Sequence, residues 1–525
     1  MGSAPCDAAV NALDSIGQMF MVDFSGLEPS SGLERLIADE GIGGVILFDK
    51  NIAVPHQVAR LANALQQIAA AAGRPPLLIG IDQEGGPVAR LRTGATHFPS
   101  GMAFGAAASE ALAAAAAGIT ARELRAVGIH MNMAPVLDVN NNPDNPVIGI
   151  RSYGEDPALV ARLGAATIRS MQAAGVLATA KHFPGHGDTV LDSHLALPVV
   201  AHDRVRLERV ELAPFQAAIR AGVGAVMTAH VVYPALDPDR PATLSPAILS
   251  SLLRERLGFA GLVVTDSMAM RAVADHFSAG GAAVMAVLAG ADIVLALGPE
   301  EAQRDALGAV RRAAGDGRLP AGLIAASGAR IAGAKRRLGL PERALVAVDA
   351  VHSRVGTPEH LAVAAHVAEA AATLVRDPRH VVPLAPGPVA VVAGAEAAGA
   401  DVAGAALLLT RALHAEGRDA AVVRADRLGA AGPGAVFVIV LNGRAAGEAE
   451  TAAGAARVVG AALSRGPTAA VAAGAPYVAA ALPQDAACIA VYGADPASLQ
   501  AAARVLAGVR PPRGHLPVSL PAAPG

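Results

Sequence analysis

Tryptophan is absent from the 525 residues, and aromatic side chains make up only 3% of them. That argues against the long stacking clefts of enzymes that work along polysaccharides, and it favours a small or chain-end ligand. Cysteine is almost missing as well. Cys6 and Cys488 stand at opposite ends of the chain and offer no disulfide framework. Neither sign of charge dominates: the formal net charge is −3, so nothing in the composition points to nucleic acid or an anionic membrane as a partner. The apolar stretches are alanine-rich and broken by Gly, Arg or Asp, which suits helices buried on one side and no membrane span. Met1-Gly2-Ser3-Ala4-Pro5-Cys6 lacks the charged and apolar parts of a signal peptide, and Cys6 does not supply the Ser or Thr of a myristoylation pattern. Cys6 is therefore a poor lipid anchor, and a cytoplasmic protein is expected. Lysine is scarce in its turn. Only Lys50, Lys181 and Lys335 occur among 42 basic residues, so a chain biased to arginine keeps an ammonium at Lys181 either by chance or as a compact donor to hydroxyls.

What is present is β/α alternation. The length predicts two domains. Eight β-like runs, at 18–23, 44–48, 76–82, 128–135, 175–182, 224–230, 261–266 and 291–297, alternate with helical stretches, as in an α/β fold with an N-terminal (β/α)8 TIM-like barrel. Polar residues Asp23, Asp82, Lys181, His182, His230 and Asp266 fall at or just past the carboxyl ends of these runs, where barrels carry their chemistry. The barrel is assigned to 1–345 and a linker to 346–365. A smaller C-terminal α/β layered sandwich domain is assigned to 366–525, from apolar runs at 372–375, 389–392, 436–441, 469–472 and 488–492.

The densest chemistry lies in fourteen positions, 181–194, which hold a lysine, three histidines and two carboxylates together with two glycines and a proline. Such a segment suits an active-site loop better than a helix face. Within it, Asp192 and His194 form an Asp-x-His pair. In an extended segment both side chains point to one side, so the carboxylate can orient and polarise the imidazole; the plainer alternative is a hydrogen-bonded loop clasp. His182 and His186 have a metal-like spacing, but Pro184 and Gly185 prevent the helix on which that spacing converges, so no metal is expected. Asp266 ends an apolar strand and must either face a polar cavity or cap the next helix with help from Ser267. In 81–91, Asp82 is placed to accept sugar hydroxyls, and Gly85 and Gly86 allow close backbone approach or simply mark a turn. No helix-opening Gly-x-Gly-x-x-Gly follows that strand, which argues against a nucleotide. Arg151 either clamps a ligand oxygen or sits in a structural ion pair. Asp138 positions the loop or that arginine.

Together these motifs resemble the β-N-acetylglucosaminidases of glycoside hydrolase family 3, of the bacterial peptidoglycan-recycling, two-domain type. The resemblance rests on Lys181-His182-Phe183-Pro184-Gly185-His186-Gly187, Asp192-Ser193-His194 and Val264-Thr265-Asp266-Ser267-Met268, and extends over essentially the whole chain. It implies Asp266 as nucleophile and His194 as general acid/base polarised by Asp192. It also implies Asp82, Arg151, Lys181 and His182 as holders of a terminal N-acetylglucosamine, with His186, Met227 and His230 nearby. No cofactor is implied. Pro87 stands where the family usually has Arg, which puts the neighbouring subsite or the turn's salt bridge in question. Two rivals remain. A phosphorylase on the same scaffold is compatible with a histidine acid/base, because an imidazole repels phosphate less than a carboxylate does. A catalytically silent sugar-binding module would require a broken nucleophile or acid/base, and Asp266, Asp192 and His194 are all present. The sequence leaves the aglycone and the oligomeric state open.

Overall fold

Eight short parallel strands build the first part of the molecule in the computed structural model, which describes residues 15–393, 401–443 and 449–522; Cys6 lies outside the described residues. They are β1 (Phe20–Val22), β2 (Gly44–Leu47), β3 (Leu78–Ile81), β4 (Met131–Asn132), β5 (Leu177–Phe183), β6 (Ala225–Thr228), β7 (Leu262–Val264) and β8 (Val294–Ala296). Their order is β7-β6-β5-β4-β3-β2-β1-β8, and a parallel bridge from Val264 to Ile293 joins the two ends into a barrel. Seven of the eight predicted runs contain their strand whole, and β5 overruns the run 175–182 by one residue, to Phe183. The strands are shorter than the runs; Asp23, Asp82, His230 and Asp266 lie past their strands at the mouth of the barrel, whereas Lys181 and His182 remain within β5.

The strands are nearly all apolar because helices cover them on the outside, while side chains such as Met21 and Met133 fill the inside. Several helices open on side-chain caps: Ser30 accepts from the Leu33 amide at 3.2 Å, and Asp156 from the Ala158 amide at 2.9 Å. No helix among the described residues is long and apolar enough to cross a membrane.

The second sheet contains β9 (Thr373–Arg376), β10 (Val389–Ala393), β11 (Ala420–Val423), β12 (Val436–Leu441), β13 (Thr468–Ala472) and β14 (Ala487–Ala490), in the order β9-β14-β13-β12-β10-β11. Only β9 runs antiparallel to its neighbour. Alternate residues face opposite layers. Val389 and Val391 join the helices Val402–Ala415 and Pro496–Leu506, whereas Ala390 and Val392 face the other side, where Met102, Ala103 and Ala106 of the barrel also pack. That second face is how the sheet docks. Ser100 Oγ donates to the Tyr492 carbonyl at 2.6 Å, and Asn140 Nδ2 donates to the Tyr477 hydroxyl at 2.7 Å. The helix Pro358–Ala371 leads from the barrel into this sheet.

Two of the three lysines serve the barrel wall. Lys50 Nζ pairs with Asp23 at 2.6 Å. Lys335 is 3% exposed and donates to Gln18 Oε1 at 2.6 Å, and burial pushes its pKa down to about 7. Between that value and the ordinary 10.5 the unfolded chain binds the extra proton, so the cost to stability is full below pH 7 and fades as pH rises toward 10.5. Lys335→Met is therefore expected to stabilise by up to about 4 kcal/mol on the acid side, less the lost hydrogen bond to Gln18. Urea unfolding of both proteins at about pH 6.5 and about pH 9.5 checks this; a gap that does not narrow with rising pH contradicts it.

Candidate active site

The carboxyl ends of the barrel strands and their loops enclose a cavity of about 320 Å3. Asp82, Arg151, Lys181, His182, His186, His194, Met227 and Asp266 all line it, with Glu84, Ser193, Phe48 and Arg90 beside them. Asp192 and His230 stand behind this wall, each holding one of its residues.

On one side lies a buried charge tetrad. Lys181 Nζ, on β5, donates to Asp82 Oδ1 at 2.8 Å and lies 2.6 Å from Glu84 Oε1. Arg151 grips Glu84 with both arms, Nε to Oε2 at 2.9 Å and Nη2 to Oε1 at 2.8 Å. Burial raises the Glu84 pKa, but Arg151 and Lys181 more than offset it and hold the carboxyl below the usual carboxylate range. Burial likewise opposes the charge on Lys181, yet Asp82 and Glu84 raise its pKa above the ordinary value. The two cations and two carboxylates thus face one another in mutual compensation, and Asp82 Oδ2 has no hydrogen bond among the described residues. Glu84 lies within the 81–91 segment, where the sequence alone gives it no role. The signal available was a second carboxylate two residues after Asp82.

Backbone geometry sets these groups in place. Gly85 has φ +101°, and a Cβ there would stand 2.6 Å from the Pro99 carbonyl oxygen, so the chain reverses tightly after Glu84. In the turn that carries Pro87, Arg90 pairs with Asp49 at 2.8 Å and lies over the Phe48 ring, while Arg92 Nη2 donates to the Pro87 carbonyl at 2.8 Å. The Arg151 turn is braced by the end of the chain: the Glu155 amide donates to the Pro517 carbonyl at 3.1 Å, and Ser519 Oγ donates to Glu155 at 2.6 Å.

On the other side runs the histidine loop, organised by Asp138. This fully buried carboxylate accepts from the His182 and His186 amides at 3.1 and 2.7 Å and from His182 Nδ1 at 2.7 Å. Asp138 therefore positions the loop; it makes no hydrogen bond to Arg151. With Nδ1 engaged, His182 keeps Nε2 for the cavity. His186 bonds Thr189 Oγ1 at 2.8 Å and Ser193 Oγ at 2.9 Å through its two ring nitrogens, and burial, with the charge of His182, pushes its pKa down to about 4. It is a neutral strut between the root of the loop and the Asp192-Ser193-His194 segment. That segment is a turn, not the extended run expected from the spacing. Asp192 Oδ1 accepts both the His194 amide and His194 Nδ1 at 2.8 Å, because an aspartate reaches the backbone two residues ahead in an Asx turn. The carboxylate and imidazole still meet, and the His194 side chain, 60% exposed, stands at the rim.

Asp266 lies just beyond β7. Among the described residues its only hydrogen bond is from the Ser267 amide at 2.7 Å, and the next helix, Arg271–Ala274, opens on Met270 without a side-chain cap, so Asp266 does not cap it. Burial raises its pKa, but His182, His230, the Ser267 amide and Lys181 more than offset this and leave it below the ordinary carboxylate value. His230 is buried, bonding Thr243 Oγ1 at 2.8 Å and donating from Nε2 to the Ser267 carbonyl at 2.9 Å, which fixes the peptide after Asp266. The cavity thus offers an ionised carboxylate, a carboxylate-held imidazole at its rim and a polar wall suited to hydroxyl groups. Among the described residues one group of side chains, Asp188, His202 and Glu211, has donor atoms close enough for a cation; it lies outside the cavity, and Asp188 is already bonded to His202 and Glu211 to Arg206.

Comparison with known proteins agrees with this architecture. Residues 13–334 match the family described as Glycosyl hydrolase family 3 N terminal domain. The chain is similar to Beta-hexosaminidase A of Pseudoalteromonas piscicida, 38% identical over 401 residues that cover 69% of this chain and 67% of that one. It is also similar to a Beta-hexosaminidase of Stenotrophomonas maltophilia (strain R551-3), 41% identical over 291 residues, 54% of this chain and 84% of the other. Among solved structures, a glycoside hydrolase family 3 beta-N-acetylglucosaminidase from Paenibacillus sp. str. FPU-7 superposes with a TM-score of 0.89 at 40% identity, covering 98% of this chain and 99% of that one. A match over more than half the chain, with the polar groups gathered at the carboxyl ends of the barrel strands, places the protein: it belongs to glycosyl hydrolase family 3.

Proposed function

We propose that the protein is a retaining, exo-acting β-N-acetylglucosaminidase that releases terminal N-acetylglucosamine from β-linked cell-wall fragments such as muropeptides or chitobiose-like glycosides. One observation carries this reading: the cavity of about 320 Å3 is lined by both the ionised Asp266 and an Asp192-bound His194. The names of the relatives favour N-acetylglucosamine as the sugar. Asp82, Arg151, Lys181 and His182 bind its hydroxyls, and the neutral tetrad avoids an uncompensated charge against an uncharged ligand.

An oxygen of Asp266 attacks the anomeric carbon as the glycosidic bond breaks. His194 gives its Nε2 proton to the leaving oxygen while Nδ1 stays on Asp192. The neutral imidazole then takes a proton from water, the water oxygen attacks the anomeric carbon, and the ester to Asp266 opens with the sugar released in its original configuration. Retaining enzymes ordinarily use two carboxyl groups, and here an imidazole replaces one of them. Carried on an exposed turn, it can withdraw to let sugar in.

His194→Ala is expected to slow an activated aryl N-acetylglucosaminide much less than a natural disaccharide, because a good leaving group needs little protonation. Steady-state rates on both substrates check it, and equal losses would remove His194 from the acid role. Since an imidazole also repels phosphate less than a carboxylate does, products are to be analysed with and without phosphate. Free N-acetylglucosamine in both is expected; a sugar 1-phosphate as the major product would make the enzyme a phosphorylase.

A further inference from the structure

The opposite end of the barrel carries a second cavity, of about 1260 Å3, where the C-terminal ends of the helices Glu110–Ala126, Pro157–Ala173 and Ala321–Arg337 meet the segments 342–347 and 353–360. Arg122, Arg125, Arg336, Arg337, Arg343 and Arg354 line it, against the carboxylates of Glu342 and Glu359. None of the six guanidinium groups has an ion pair or a side-chain hydrogen bond among the described residues. Arg125 is the telling member: its Nη1 is buried with no hydrogen-bond partner, and burial together with the nearby Arg343 lowers its pKa. Helix C-termini at the rim favour basic residues in their last turns and account for Arg125, Arg336 and Arg337. Arg122 and Arg343 lie outside those turns, so the excess of positive charge is larger than the helix ends call for.

We propose that this cavity is a binding site for a small molecule bearing two or more phosphate groups. Guanidinium forks match phosphate oxygens in pairs, and converging unpaired cations are stabilised by a multivalent anion far more than by a single carboxylate. The cavity is remote from Asp266, so the site stands independently of the glycosidase chemistry.

Isothermal titration with inorganic tripolyphosphate at about 150 mM salt tests it. The expected result is saturable one-to-one binding, weakened about ten-fold or more in the double variant Arg343→Glu, Arg354→Glu. Both side chains are exposed and unbonded, so this variant should keep wild-type turnover of a chromogenic substrate, which serves as the folding control. Absence of saturable binding, several ligands per chain, or unchanged affinity in the variant would overturn the proposal. A short single-stranded RNA that binds more tightly than tripolyphosphate, and is lost in the same variant, would overturn it too, by making the ligand a nucleic acid.

Discussion

Replacing Asp266 by alanine should lower turnover of a chromogenic N-acetylglucosaminide by about four orders of magnitude or more, while thermal stability stays close to wild type. The size follows from the role, since the other carboxylates that line the cavity are each paired with a cation: Glu84 with Arg151 and Lys181, and Asp82, through Oδ1, with Lys181. Stability should change little because among the described residues Asp266 accepts one hydrogen bond, from the Ser267 amide next to it. Azide sharpens the test. Entering the space left by the carboxylate, it should restore turnover and yield the α-glycosyl azide. With His194→Ala the azide should instead meet the glycosyl-enzyme from the other face and yield the β-azide. Wild-type turnover that survives in Asp266→Ala would place the nucleophile elsewhere, and a wild type without turnover would return the protein to a sugar-binding role.

The second large effect concerns Glu84. Glu84→Gln keeps the volume but removes the negative charge that neutralises both Lys181 and Arg151, leaving two buried cations to share Asp82. Breaking a buried ionic network by removing one partner typically costs about 3–5 kcal/mol, so the variant should unfold at markedly lower denaturant. The pH dependence gives the signature. The folded-state pKa of Glu84 lies below its ordinary value of 4.5, so its contribution is complete above that pH and is lost as pH falls through the folded value. Wild type should therefore lose stability on acidification below about pH 4.5 more steeply than Glu84→Gln. Parallel curves would mean that the network contributes nothing through this carboxylate. Weaker substrate binding should accompany the loss, since Arg151 and Lys181 would no longer be held at the cavity wall.

Much of this was legible in the sequence, and the parts that were not share a cause. The eight barrel strands could be read because apolar runs ended in polar residues, and that same boundary pointed to Asp82, Lys181 and Asp266. The strand Ala420–Val423 escaped because its short run of two alanines and two valines, at the edge of the second sheet and half exposed, is no more apolar than the alanine-rich stretches around it. Glu84 escaped because its meaning depends on Arg151, 67 positions away, and Asp138 stayed ambiguous between loop and arginine because its partner His182 lies 44 positions on. Pairings at such distances are made by the barrel, which brings the ends of successive strands around one mouth. The Asp192 and His194 contact was foreseen with the wrong local geometry: spacing implied a strand, whereas aspartate's reach to its own backbone makes a turn. The second domain's bearing on the site, through Pro517 and Ser519 against the Arg151 turn, likewise appears only once the chain end is seen to return to the barrel.

The central claim is a glycosyl-enzyme bond at Asp266. It is tested most directly by incubating the wild-type enzyme with a fluorinated N-acetylglucosaminyl fluoride, which forms the intermediate quickly and releases it slowly, followed by intact mass and peptide mapping. The account predicts one sugar per chain, attached to the peptide that contains Asp266. A label on any other residue, or an unlabelled enzyme whose first-formed product is the α-anomer, would contradict it.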